Sequence, residues 1–140
     1  MAIEFPSEEW TKAYKDAVNA DPEYKTAGAS WEAGPIAFVV KAEPSVGLEA
    51  DTAFVLDVHK GECRDAYIAE MDKAQAQPFV ITGSYTQWKA VIRKELDPIK
   101  GMMQGKLKLK GNLPIIVRHV KAAQVLVENA SRIDTRFLDE

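Results

Sequence analysis

Hydrophobic residues follow two different patterns along this chain, one typical of helices and one typical of strands, and the first segment has the helical pattern. Apolar side chains recur every three or four positions behind Ser7, a residue type that caps helix N-termini. They are Trp10, Tyr14 and Val18. The pattern predicts an amphipathic helix from about residue 8, and Asp21-Pro22 predicts the start of a second, shorter one.

Between residues 36 and 82 the pattern changes to short β-favouring runs separated by Gly, Pro and charged residues. The runs are residues 36–40, 53–58, 66–69 and 79–82. The connections between the first three are too short for a crossover helix, so we predict three consecutive antiparallel strands, with Lys60-Gly61 as a hairpin turn. Residues 79–82 predict a fourth strand, which Gly83 is expected to end.

The C-terminal half returns to helices with one strand between them. Ser84 starts a predicted helix that carries Trp88, and Asp97-Pro98 starts a short one. Lysine and leucine then alternate over residues 106–110, which predicts a fifth strand with one wet face. A single long helix is predicted from Leu113 to about residue 129, with one apolar stripe. The stripe is Leu113, Ile116, Val120, Ala123 and Val127.

Five short strands offer fewer apolar faces than the predicted helices require. The chain of 140 residues predicts one α+β domain over residues 1–140. The surplus of apolar helix faces, with flexible Met102 and Met103 among them, suits either a fully packed core or a ligand cavity. The residues alone leave both interpretations open.

The charge distribution and the cysteine content indicate what the protein can contact and where in the cell it is expected. Residues 85–121 hold nine Lys and Arg against two acids, whereas residues 1–84 hold seven against fifteen. Such a basic segment is either a solvated face or a contact for anionic groups. The single cysteine, the absence of a secretory signal and the absence of a long apolar span predict a cytoplasmic protein.

Candidate catalytic groups are few. The sequence has no phosphate-binding glycine loop, nucleophile elbow or paired metal ligands, so no cofactor or metal is expected. His59 and His119 are expected to be solvated or capping residues. Cys63 is expected to be structural, because one adjacent arginine is a weak reason for a reactive thiolate.

One stretch of the chain resembles a known family, the sterol carrier protein 2 (SCP-2) domain. The similarity is carried by FVITGSYTQWKAVI at 79–92, the Asp97-Pro98 turn, and MMQGKLKLKGN at 102–112 before a long apolar helix. It extends over about residues 14–132. The protein looks like a small free-standing member of that family.

The resemblance implies a five-stranded, mostly antiparallel sheet covered on one side by helices, with a hydrophobic tunnel between the layers. It implies non-catalytic binding and transfer or presentation of fatty acids, acyl-CoA or sterol-like lipids. An alternative is an accessory protein that presents substrate to a partner enzyme, or regulates it, with no free carrier role. Nucleic acid is not an expected partner, because the chain is acidic overall and lacks interleaved aromatics near its lysines.

Ligand-binding residues are predicted from the family pattern and from strand facing. The family pattern suggests Trp88, Val91, Ile92, Met102, Met103, Leu107, Leu109, Leu113, Ile116 and Val120. Strand facing alone adds Phe38, Phe54 and Leu56. On the outer face, Lys106, Lys108 and Lys110 are expected to meet solvent, an anionic membrane or a partner enzyme.

Overall fold

The protein was analysed as a computed structural model, which describes residues 2–140 as one helix-on-sheet body. In chain order the strands are β1 (Ile3–Phe5), β2 (Ile36–Lys41), β3 (Thr52–His59), β4 (Glu62–Ala69), β5 (Phe79–Ser84), β6 (Lys108–Lys110) and β7 (Thr135–Phe137). The helices are α1 (Glu8–Ala20), α2 (Pro22–Ala27), α3 (Met71–Gln75), α4 (Tyr85–Ile92), α5 (Pro98–Met103), α6 (Leu113–Arg118) and α7 (Val120–Ser131), with a 3₁₀ turn at Pro44–Val46.

The main sheet has five strands in the order β4-β3-β2-β5-β6. Three of its neighbouring pairs are antiparallel, and only β2 and β5 run parallel. The predicted mostly antiparallel α+β sheet is therefore confirmed. Lys60 and Gly61 both have positive φ, 49° and 82°, as a two-residue hairpin turn between β3 and β4 requires.

Helix starts follow the capping residues read from the sequence. The side chains of Ser7, Asp21, Ser84, Asp97 and Asn112 each accept a hydrogen bond from a backbone N–H in the first turn that follows. These contacts are local, so they form wherever the cap residue and the helix-forming residues are adjacent.

The two faces of the main sheet are covered unequally. Most helices pack on one face over a large aromatic-rich core. The short helix α3 lies on the opposite face, where Ala74 packs with small strand residues such as Ala37, Ala53 and Val55. The expectation of helices on one side only is corrected by α3, which closes a second, smaller core.

A second sheet joins the two ends of the chain. Strand β1 pairs in parallel with β7, with Phe5 opposite Phe137. The C-terminal segment thus docks through backbone hydrogen bonds as well as through the burial of Phe137.

The predicted long C-terminal helix is broken at His119. Its backbone N–H donates to the Ile116 carbonyl at 2.9 Å, one residue short of the α-helical partner. The His119 Nδ1 atom lies 2.8 Å from the Ile115 carbonyl oxygen, where the helical N–H would otherwise bond. The side chain therefore competes with the backbone, and the predicted single helix is divided into α6 and α7.

Within residues 2–140, none of the helices has the length and hydrophobicity needed to cross a bilayer.

Candidate functional site: an apolar cavity between sheet and helices

The space between the main sheet and its helical layer is not completely filled. A cavity of about 90 Å³ lies there, and its wall is built mainly from aromatic and aliphatic side chains. The N-terminal elements supply Phe5, Trp10, Tyr14, Tyr24 and Trp31, and the sheet supplies Ile36, Phe38, Phe54, Val58 and Ile81. The C-terminal helices supply Trp88, Val91, Ile92, Pro98, Met102, Ile116, His119, Ala122, Ala123, Leu126, Val127 and Ala130.

All three tryptophans of the chain line this cavity, and each has its indole N–H bonded elsewhere. The N–H groups of Trp31 and Trp88 donate to the carbonyls of Gly34 and Val39, both at 2.9 Å. That of Trp10 donates to the Thr135 hydroxyl at 2.9 Å. Because these polar groups are satisfied by the protein, the rings offer mainly carbon surface to the cavity.

Helix α7 leaves room because its inner stripe contains alanines. Ala122, Ala123 and Ala130 face the sheet at positions one, seven or eight residues apart, with Leu126 and Val127 between them. Larger side chains at these positions would fill the space. The cavity is thus a property of residue size on one helix face.

Seven of the predicted ligand-binding residues come together around the cavity. They are Phe38, Phe54, Trp88, Val91, Ile92, Met102 and Ile116. Whether these side chains contact a ligand stays a prediction.

The other six predicted residues lie outside the cavity wall. Leu56 is fully buried, and Leu109 and Leu113 are half-buried. Met103 and Val120 face solvent, with 69% and 43% of their surfaces exposed. Val120 is the first residue of α7, directly after the break at His119, whereas Ala123 and Val127 of the same predicted stripe line the cavity.

Leu107, the sixth, is buried beside the cavity in a niche between two glycines. A Cβ added to Gly83 would lie 2.5 Å from its Cδ2 atom, and one added to Gly101 would lie 3.2 Å from its Cδ1 atom. Gly83 therefore does not end β5 as predicted. The strand continues to Ser84, and the missing side chain makes room for Leu107.

The cavity wall also includes residues that the sequence reasoning missed. Phe5, Trp10 and Tyr14 come from β1 and α1, and Trp31 comes from the loop before β2. The regular spacing of Trp10 and Tyr14 showed a buried helix face, but nothing in the sequence indicated what that face would meet.

His119 was expected to be a solvated or capping residue, and the structure places it as the cap between α6 and α7 with its ring at the cavity wall. Its ring is half-buried and stands edge-on to Trp31, with centroids 5.0 Å apart. Its spacing from Ile116 and Ala123 put it near the apolar stripe, a signal that its polarity obscured.

The Tyr14 and Tyr24 hydroxyls and the Cys63 thiol favour their neutral forms, because the pKa of each is raised. Burial raises the pKa of the Tyr14 and Tyr24 hydroxyls, with Cys63 contributing to both shifts and Tyr24 to that of Tyr14. Burial likewise raises the pKa of the Cys63 thiol to about 11, against the opposing effect of Lys15. A thiol held protonated in this way is a poor nucleophile, which agrees with the structural role expected for Cys63.

Metal binding finds no support in the described residues, where no cluster of three or more His, Cys, Asp or Glu side chains is placed to hold an ion.

Comparison with known proteins identifies the family. The family model described as the SCP-2 sterol transfer family matches residues 12–124. The chain therefore belongs to the SCP-2 sterol transfer family. No curated protein matches the chain.

Solved structures agree with this assignment. A crystal structure of sterol carrier protein 2 is 32% identical, with a TM-score of 0.80, and covers 91% of this chain and 97% of that chain. A protein from Thermus thermophilus, described as possibly a sterol carrier protein, is also 32% identical, with a TM-score of 0.82, and covers 93% of this chain and 90% of its own. The UbiJ-SCP2 ubiquinone synthesis protein shares the fold at 14% identity and a TM-score of 0.54, covering 83% and 86% of the two chains.

Proposed function

We propose that this protein binds a hydrophobic ligand, of the fatty acid, acyl-CoA or sterol-like class, between its sheet and helices and transfers or presents it without covalent chemistry. The observation that carries the proposal is the cavity itself. It is lined by carbon surface, and the indole N–H groups around it already have protein partners. Such a site binds the apolar part of a ligand favourably and discriminates little between headgroups.

The size of the cavity sets a condition on binding. A cavity measured by the space open to the centre of a water molecule needs about 10–15 Å³ for each water-sized group that it holds. On that measure the space of about 90 Å³ between the layers holds roughly six to nine such groups, fewer than the twelve carbons of a dodecyl chain. The helical layer therefore has to move outward to admit an acyl chain.

The elements best able to move are α5 and α6, which are short and weakly buried. Helix α6 buries only Ile116, and α5 buries only Ile99 and Gly101. Segments with few buried side chains open at the lowest free energy. Met102, which adapts easily to irregular shapes, lies on this wall.

The free energy available is sufficient for useful affinity. Transfer of twelve methylenes from water supplies roughly 10 kcal/mol. Micromolar binding corresponds to about 8 kcal/mol, so opening the cavity and ordering the ligand can together cost roughly 2 kcal/mol at that affinity. We therefore expect longer saturated chains to bind more tightly until the space is filled.

Native mass spectrometry of protein purified without detergent, followed by organic extraction, tests the proposal. We expect a near-stoichiometric lipid, or uptake of added dodecanoate, acyl-CoA or cholesterol by the lipid-free protein. Because all three tryptophans line the cavity, their emission should change on uptake. A lipid-free mass that stays unchanged with every ligand, with constant tryptophan emission, would refute the carrier function and favour the accessory alternative.

The proposal also states that the protein carries its ligand without catalysing a reaction on it. Cys63 is buried with a raised pKa, and the His119 ring is held by the Ile115 carbonyl and Trp31. The cavity-lining neighbours of Cys63 are Tyr14 and Tyr24, whose own pKa values burial raises, so they offer it no base near neutral pH.

We further infer that the face around Lys108 meets anionic membranes during transfer. Lys106 and Lys108 are exposed, and within residues 2–140 neither forms an ion pair. Exposed Met103 lies three residues before Lys106, next to cavity-lining Met102. Each lysine near an anionic bilayer contributes about 1 kcal/mol of attraction.

The test is the rate at which a fluorescent fatty acid moves from the protein to vesicles of equal parts phosphatidylcholine and phosphatidylserine. Lys108→Glu should slow transfer, and Lys25→Glu, an equal charge change at another exposed position, should not. Equal rates for both variants and the unmodified protein would assign the lysine face to solvation alone.

A further inference from the structure

A charged groove lies against the outer end of the helical layer. It has a volume of about 510 Å³ and is formed by α2, the loop between α4 and α5, and α7. Its charged lining residues are Glu23, Lys94, Asp97, Lys121, Glu128 and Arg132.

The groove is continuous with the wall of the apolar cavity. Pro98 and Val127 line both spaces, and they are the only two residues common to the two linings as described for residues 2–140. Pro98 is the first residue of α5, and Val127 lies on the inner stripe of α7. Outward movement of α5 from α7 would therefore join the cavity to the groove.

Two lysines of the groove form ion pairs with groove carboxylates, one close and one loose. The Lys94 ammonium bonds both carboxylate oxygens of Glu128, at 2.6 and 2.9 Å. Lys121 is 3.8 Å from Glu23, and the two side chains are more than half exposed. Such pairs contribute little to stability and exchange partners readily.

Asp97, the groove carboxylate beside Pro98, is already hydrogen-bonded within the protein. The Asp97 carboxylate accepts hydrogen bonds from the backbone N–H groups of Ile99 and Lys100, at 2.8 and 3.2 Å, as the cap of α5. Its negative charge is therefore partly balanced at the position where a ligand would emerge between Pro98 and Val127.

On the basis of the proposed carrier function, we propose that this groove holds a carboxylate headgroup of an amphiphile whose tail occupies the cavity. An incoming carboxylate replaces Glu128 or Glu23 as the partner of Lys94 or Lys121, so one ion pair is exchanged for another. The exchange leaves no cation without a partner, and the displaced protein carboxylate faces solvent. The groove thus adds headgroup selectivity to a cavity that by itself selects only for chain shape.

The backbone at Lys94 agrees with a role for its side chain. Its φ is +64°, in the left-handed region where glycine is preferred, at the turn that ends α4. Lysine at this position is less favourable for the backbone than glycine, yet it directs an ammonium group into the groove.

Paired ligands of one chain length test the inference. Dodecanoate and dodecanol are titrated against the protein at about pH 8, where the acid is ionised, with tryptophan emission as the readout. The variants are Lys94→Gly, which also relieves the backbone strain, and Lys121→Gln. Lys25→Gln, at an exposed lysine outside the groove, is the matched control.

We expect the unmodified protein to bind dodecanoate more tightly than dodecanol, with the preference weakening as salt is added. Each groove variant should lower dodecanoate affinity about tenfold, equivalent to about 1.4 kcal/mol, and leave dodecanol affinity nearly unchanged. The control should change neither affinity.

Equal binding of acid and alcohol by the unmodified protein would overturn the headgroup site while leaving the carrier function intact. Equal losses for both ligands in the groove variants would also overturn it, because they would report a structural effect. Failure of the protein to bind either ligand would overturn the carrier function and the groove site together.

Discussion

Filling the cavity from the helix side provides the sharpest test of where ligand binds. Ala123 lies on the inner stripe of α7, and leucine adds three carbon atoms there. At about 10–15 Å³ for each water-sized group, these three atoms take about 30–45 Å³ of the cavity of about 90 Å³. Ala123→Leu should therefore remove a third to a half of the space available to a ligand chain.

The expected change in stability follows from the same numbers. Burial of three methylene-sized groups contributes about 2.4 kcal/mol, and ordering the leucine side chain costs about 0.5–1 kcal/mol. The ligand-free variant should thus unfold in urea with a free energy about 1.5 kcal/mol larger than that of the unmodified protein. Dodecanoate titration followed by tryptophan emission should show a large loss of affinity.

Ala90→Leu is the matched control, since Ala90 is half-buried on α4 and lies outside the cavity lining. It should leave dodecanoate affinity unchanged. Undiminished uptake by Ala123→Leu would show that ligand binds elsewhere. A loss of more than about 1 kcal/mol of stability would show that the space cannot accept a leucine and that the volume argument is wrong.

Three further measurements address the surrounding structure. Gly83→Ala should destabilise the protein by about 1–3 kcal/mol in urea, because the new Cβ meets Leu107 at 2.5 Å; an unchanged midpoint would refute the described niche. The Cys63 thiol should resist a thiol reagent at about pH 8 until urea unfolds the chain, because burial raises its pKa to about 11; rapid labelling of folded protein would contradict this. The Ala42 N–H and the Lys41 ammonium lower the pKa of Asp51, so this carboxylate stabilises the fold above its unfolded pKa of about 4 and loses that effect as pH falls through the folded pKa. The stability difference between Asp51→Asn and the unmodified protein should therefore shrink below about pH 4, and a constant difference would exclude this linkage.

Features set by neighbouring residues were predictable from the sequence. The helix caps, the Lys60-Gly61 hairpin and the three consecutive antiparallel strands each depend on contacts a few residues apart. The resemblance at residues 79–112 supplied the family, which the match over residues 12–124 established. Seven of the thirteen predicted site residues lie together around the cavity; strand facing supplied Phe38 and Phe54, and the family resemblance supplied the other five.

Features that depend on distant residues were not predictable in this way. The pairing of β1 with β7 joins residues more than a hundred positions apart, and neither three-residue strand has a periodic signal of its own. The break at His119, by contrast, is a local feature that the apolar spacing did not indicate, since the His119 ring lies against the Ile115 carbonyl four residues earlier. The spacing of apolar residues does not register a polar side chain that bonds a carbonyl of its own helix.

What the sequence determined by itself was the set of local elements, their inward faces and the family to which they belong, because these depend on short-range spacing and on characteristic motifs. Only the tertiary structure decided that the inward faces stop short of filling the space between sheet and helices, and that a charged groove meets that space at Pro98 and Val127. Core and cavity walls have the same apolar composition, so the difference between them lies in the distances between elements. Those distances are set by how all the side chains pack together.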